Sequence, residues 1–223
     1  MTQQHVYIIF ELIAFLFAIS VHESAHAWMA NRRGDPTARM LGRITLNPIK
    51  HIDLFGTIIL PLVAMFARIP VLGWAKPTPV DPRNFKNPVL DDVLTSVAGP
   101  VSNFIVATIA ILLLAFIKVV SPLGRQIVQG GFLTETTSFL LPLCLLLYGL
   151  MEINVVLGVF NLIPVPPLDG SHVLRHFLPA TALRIYDTVG YFALLALVFW
   201  GGNFLGKLIY PVLGFFNFVL LRV

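Results

Sequence analysis

His22-Glu23-Ser24-Ala25-His26 sets two imidazoles four residues apart with a carboxylate between them. On an α-helix, positions i and i+4 share one face about a turn apart, so His22 and His26 can grip one metal ion while Glu23 reaches a water beside it. The chemistry this spacing allows is hydrolysis: a divalent metal acidifies water and a neighbouring carboxylate takes the proton. A lone helical histidine is more often a packed residue than a ligand, but two histidines and a glutamate at HExxH spacing weaken that reading. Residues 6–20 before the motif are apolar apart from Glu11, and ionisable groups at membrane depth are costly unless paired, hydrated or metal-bound.

Catalytic zinc commonly keeps three protein ligands and one open position for water. The stretch Asn161-Leu162-Ile163-Pro164-Val165-Pro166-Pro167-Leu168-Asp169-Gly170 supplies the favoured third ligand, Asp169. Its prolines break any helix, which predicts an extended segment at membrane depth that needs a cavity, a partner strand or a substrate. Such a segment could pair with an unwound substrate by strand addition. His172, His176 and His51 are the other candidates for the third ligand. Asn154 and Asn161, seven residues apart, lie on nearly one helical face, and the Asn161 amide could donate to a developing oxyanion. Asn103 and Asn154 read as interhelical hydrogen-bonding residues.

The elements that must position these residues are membrane helices. With 57% hydrophobic and 12% charged residues in 223, and a mean hydropathy of +0.85, the composition excludes an ordinary soluble domain. Apolar stretches predict spans near 5–31, 92–120, 137–161, 186–200 and 204–221, hence an all-α polytopic protein of about five spans in a single membrane domain, residues 1–223. The apolar segment 55–67, at about 13 residues, fits a re-entrant element. A single crossing there would invert the following spans and bring Asp169 out opposite His26. The first apolar stretch lacks a basic leader and a small-residue cleavage site, so it reads as a retained helix. The loop 73–79 is proline-rich, with Trp74 at a headgroup position, and reads as a connector or a substrate gate.

Arg32, Arg33, Arg39, Arg43, Lys50, Arg68, Lys76, Arg83 and Lys86 gather on one side of this arrangement, which the positive-inside rule makes cytoplasmic. Between the second and third spans stand Lys118 and Arg125, and the N-terminal tail carries neither lysine nor arginine. The expectation is a prokaryotic inner membrane, with the N-terminus outside and the HExxH site towards the cytoplasm. The net charge of +4 therefore reports orientation, and nucleic acid is not an expected partner. Cys144 stands alone in an apolar run, so it forms no intrachain disulfide.

Together these motifs resemble the site-2 protease family of intramembrane zinc metalloproteases. The HExxH residues and the NxxPxPxLDG pattern from Asn161 to Gly170 carry the resemblance, with Ala98-Gly99-Pro100-Val101-Ser102-Asn103 as a third feature. The resemblance implies one Zn²⁺ held by His22, His26 and Asp169, Glu23 as general base, and Asn161 positioning substrate or stabilising the oxyanion. It implies as partners the bilayer and a transmembrane segment of a membrane protein substrate. PDZ and CBS domains, which many relatives carry, find no room in this sequence, so a compact form is expected. Two other classes compete: a non-catalytic relative that binds membrane helices, against which the presence of Glu23 argues, and a metal or ion transporter, in which the polar residues would mark a pathway.

Overall fold

Residues 3–59, 63, 74–132 and 138–222 are described by the computed structural model. Eight α-helices occur among them: α1 (Gln3–Arg33), α2 (Thr37–Met40), α3 (Pro88–Val120), α4 (Pro122–Gln129), α5 (Leu140–Asn161), α6 (Asp169–Arg175), α7 (Ala180–Trp200) and α8 (Gly202–Arg222). Among the described residues there is no strand, and five helices (α1, α3, α5, α7 and α8) are long and apolar enough to cross a membrane.

Small residues bring the first three long helices together. Ala14, Ala18 and Ala30 of α1 have no exposed surface and recur at multiples of four with His22 and His26, forming one stripe. The facing side of α3 presents Gly99, Asn103, Ala107 and Ala110. Lipid offers helices no hydrophobic reason to associate, so close approach through small side chains and interhelical hydrogen bonds must do it. Lower in the bundle Leu114, Ile127, Cys144, Met151 and Val155 form the buried core, closed by Phe216 and Leu220 of α8. Lys118 is buried there and donates from Nζ to the Leu220 and Leu221 carbonyls at 2.8 and 2.9 Å, capping the end of α8. The outward faces stay apolar: Ile105, Ile109, Leu112 and Phe116 are each more than half exposed, as lipid-facing side chains are.

Helix ends depart from expectation where capping decides them. α3 starts at Pro88, four residues before the predicted 92, because Asn87 accepts from the Leu90 amide and Pro88 sits at the first helical position. α7 starts at Ala180, right after Pro179, and takes in Arg184, ahead of the start at 186 that the apolar pattern predicted.

Of the predicted re-entrant segment 55–67, residues 60–62 and 64–67 lie outside the described residues. The described part forms a π-helical turn, Leu54–Ile59. The expected extended run 164–168 is instead a set of tight turns. Val165 N donates to the Ile163 carbonyl at 2.8 Å and Leu168 N to the Val165 carbonyl at 2.9 Å, so these amides are spent internally and unavailable for strand addition.

Candidate metal centre

Three helices supply the site. His22, Glu23 and His26 stand on α1, Asp169 opens α6, and α3 provides the wall behind them. His22 and His26 are each 7% exposed.

Hydrogen bonds from the wall fix which ring nitrogen carries the proton. Asn154 Nδ2 donates to the Leu150 carbonyl (2.8 Å), which turns Asn154 Oδ1 towards α3, where it accepts from Asn103 Nδ2 (2.8 Å). Asn103 Oδ1 thus faces His22 Nδ1 at 2.7 Å and must accept from it. His26 Nδ1 donates to the Thr95 carbonyl at 2.7 Å, and a carbonyl can only accept. In the neutral rings both protons therefore sit on Nδ1, and both Nε2 atoms present lone pairs.

Those two lone pairs face each other across 3.0 Å. Asp169 adds two more acceptors, Oδ2 at 3.2 Å from His22 Nε2 and Oδ1 at 3.4 Å from His26 Nε2. Asp169 Oδ2 is buried and makes no hydrogen bond. With neutral rings the converging acceptors have no donor between them, an arrangement compatible with a bound cation. Zinc bonds of about 2.0–2.1 Å at tetrahedral angles hold neighbouring donor atoms about 3.3 Å apart, which the observed separations match. Gly99 makes the cradle: a Cβ there would fall 2.3 Å from His26 Nε2 and 2.6 Å from His22 Cε1. His22, His26 and Asp169 are, among the described residues, the cluster able to hold a metal ion.

Asp169 is delivered by the fold of its own neighbourhood. A Cβ on Gly170 would meet the Leu162 carbonyl oxygen at 2.3 Å, so glycine lets α6 begin directly against the end of α5. On the other side of α6, His176 Nε2 lies 2.8 Å from Asp92 Oδ2 and His172 Nδ1 lies 3.5 Å from Asp92 Oδ1. Of these two candidates for the third ligand, His176 ties the end of α6 to α3, and His172 stands beside the same carboxylate. His51 is buried in the loop after α2, and its Nε2 bonds the Thr45 carbonyl at 2.8 Å. Of the four candidates, Asp169 is the one the fold brings beside His22 and His26.

Glu23 stands apart from the cluster's acceptors. Its Oε2 accepts from the Thr78 amide at 2.8 Å and from the Thr78 hydroxyl at 2.7 Å. Asn161 does not join the metal cluster: its Nδ2 donates to the Leu157 carbonyl one turn back, at 3.1 Å. This bond uses one of the two hydrogens on Nδ2. Gly99 and Asn103 lie in the Ala98–Asn103 stretch noted in the sequence, but their tasks as cradle and imidazole acceptor were not legible there. Thr78 gave no local signal at all, since its partner is 55 residues away.

Residues 10–199 match the family model described as Peptidase family M50. The chain is 42% identical over 169 residues to "Putative zinc metalloprotease YwhC" of Bacillus subtilis (strain 168), an alignment covering 75% of this chain and 68% of that protein. It is 27% identical over 172 residues to "Putative zinc metalloprotease Rip2" of Mycolicibacterium smegmatis (strain ATCC 700084 / mc(2)155), covering 76% of this chain and 58% of that protein. No solved structure matches the chain significantly.

Proposed function

The chain belongs to peptidase family M50, the zinc metalloproteases of site-2 type, and from that premise we propose that it is an intramembrane endopeptidase cutting peptide bonds within or beside transmembrane segments of membrane proteins. The observation that carries this reading is the set of imidazole and carboxylate lone pairs converging on one point inside a helical bundle whose outer faces are apolar. A soluble substrate would not need its hydrolytic residues placed among membrane-length helices.

His22, His26 and Asp169 would hold one zinc ion per chain. When bound, zinc supplies Lewis-acid chemistry, polarising the scissile carbonyl and making water a stronger acid. Glu23 takes the proton of the attacking water and passes it to the leaving amine. Oε2 accepts from the amide and hydroxyl of Thr78, which orients the carboxylate for that task. Asn103 and the Thr95 carbonyl hold the two imidazoles in the tautomer that keeps Nε2 free of protons. A transmembrane substrate hides its carbonyls in helical hydrogen bonds, so it must unwind locally before attack. The basic loops on the HExxH side support a cytoplasmic-facing site with the N-terminus outside.

The test is cleavage of a panel of transmembrane-helix reporters by purified protein in detergent, with bound zinc measured on every sample. Wild type should cut at least one reporter. Glu23→Gln should keep its zinc and lose cleavage by about 10²-fold or more, the worth of a general base. Asp169→Ala should lose zinc as well. Cleavage surviving in Glu23→Gln would sink the mechanism.

A further inference from the structure

We infer that Thr78 is the positioning residue for the catalytic base, and that residues 74–81 form a fixed strap whose purpose is to present it. The inference rests on Glu23 acting as the base. Thr78 grips Glu23 three ways: its amide and hydroxyl donate to Oε2 at 2.8 and 2.7 Å, and the hydroxyl also lies 3.0 Å from the Glu23 carbonyl. Both donors of Thr78 are directed at Oε2, so the carboxylate is held with Oε1 as the oxygen that Thr78 leaves unengaged. Thr78 thereby orients the base.

The strap itself is held from behind. Arg43 is 5% exposed, and Nη2 of its guanidinium donates to the carbonyls of Lys76 and Pro77 at 2.7 and 2.6 Å, while Nη1 reaches the Lys50 carbonyl. The two carbonyls immediately preceding Thr78 are thus pinned by one buried cation. Upstream, Lys76 N donates to the His51 carbonyl at 2.8 Å. Downstream, Asp81 N donates to Asp35 Oδ2 at 2.8 Å. Pro77 and Pro79 flank Thr78, restricting the backbone on both sides and leaving Thr78 with the one amide proton of the tripeptide. A plain surface connector satisfies its amides with water. Here a buried arginine, two prolines and that single amide converge on one carboxylate oxygen of the HExxH motif.

The flanking prolines make the contact measurable in isolation, because in residues 77–79 only Thr78 exchanges an amide hydrogen. Hydrogen exchange of this amide should be slow in the wild type and at least about tenfold faster in Glu23→Ala, the scale of one lost hydrogen bond. In reporter cleavage, Thr78→Val should lower kcat by about 10- to 100-fold, the scale of a hydrogen bond to a charged group, with KM and bound zinc unchanged. Thr78→Ser should restore most of the rate. Fast exchange in the wild type, an equal rate for Thr78→Val, or loss of zinc along with activity in that variant would each overturn the inference. Should the wild type cut no reporter, the protease reading fails, and the exchange of the Thr78 amide still decides by itself whether Thr78 holds Glu23.

Discussion

Gly99 of α3 lies so close beneath His26 of α1 that a β-carbon on it would stand 2.3 Å from His26 Nε2. Neither imidazole can retreat, since each is tethered at Nδ1. Gly99→Ala is therefore expected to cost zinc rather than fold alone: bound zinc should fall to a small fraction of one per chain, with reporter cleavage lost in parallel. Metal analysis of the purified variant beside its melting temperature decides it; full zinc occupancy would refute the cradle.

Asn103 ties His22 to α5 through Asn154. Asn103→Ala removes the acceptor that sets the His22 tautomer, and outer partners of metal-bound histidines are typically worth 10- to 100-fold in affinity. Zinc affinity should drop by about that factor in Asn103→Ala and by less in Asn154→Ala, which leaves Asn103 Oδ1 in place. Competition titration with a zinc chelator measures both. The reverse order would show that the relay does not run through Asn103.

Asp92 is the shared anchor of His172 and His176. Asp92→Ala should free α6 from α3 and with it loosen Asp169. The expected cost is about 1–3 kcal/mol of stability, with zinc affinity reduced although no ligand has been changed. In a double-mutant cycle with His176→Ala the two losses should fall short of additive, since one contact is removed twice. Strict additivity would mean that the clamp is not a unit.

Asp35, just after α1, is expected to make folding on the loop side sensitive to acid. Burial alone would raise its carboxyl, but hydrogen bonds from Thr37, the Asp81 amide and Asn84 outweigh it and hold the group below the ordinary carboxylate range. A depressed folded value means stability that is complete above the unfolded value, near 4, and lost as pH falls through the folded one. Between about pH 5 and 3 the melting temperature should fall more steeply for wild type than for Asp35→Asn, while near neutrality the variant should be less stable by about 1–3 kcal/mol. Parallel melting curves across that range would contradict this.

Local patterns in the chain were legible, and long-range partners were not. The two histidines advertise themselves because their spacing is that of a helical turn, and Asp169 stands out because prolines and glycine mark a break at membrane depth. The five long apolar helices follow from composition and run length. Asn103 and Asn154 do bond between helices as expected, but the consequence for His22 depends on α3 and α5 meeting at one level, which no local pattern encodes. Thr78 escapes for the same reason. The strand expected at 164–168 gave way because prolines restrict the backbone to tight turns as readily as to extension. Asn161 bends its amide to a carbonyl one turn back, the nearest acceptor a helical asparagine has.

The lysine that caps α8 carries a lesson about biogenesis. Lys118 leaves the ribosome 102 residues before Leu220, the first of its two acceptors. Throughout the synthesis of α4 to α7 its ammonium has neither carbonyl to bind, and a cation stranded in an apolar interior is expensive. This part of the core is thus unfinished until the end of α8 is made, and α8 acts as a keystone: without Leu220 and Leu221 every residue of the candidate metal centre would remain, while the Lys118 ammonium would lose both of its carbonyls.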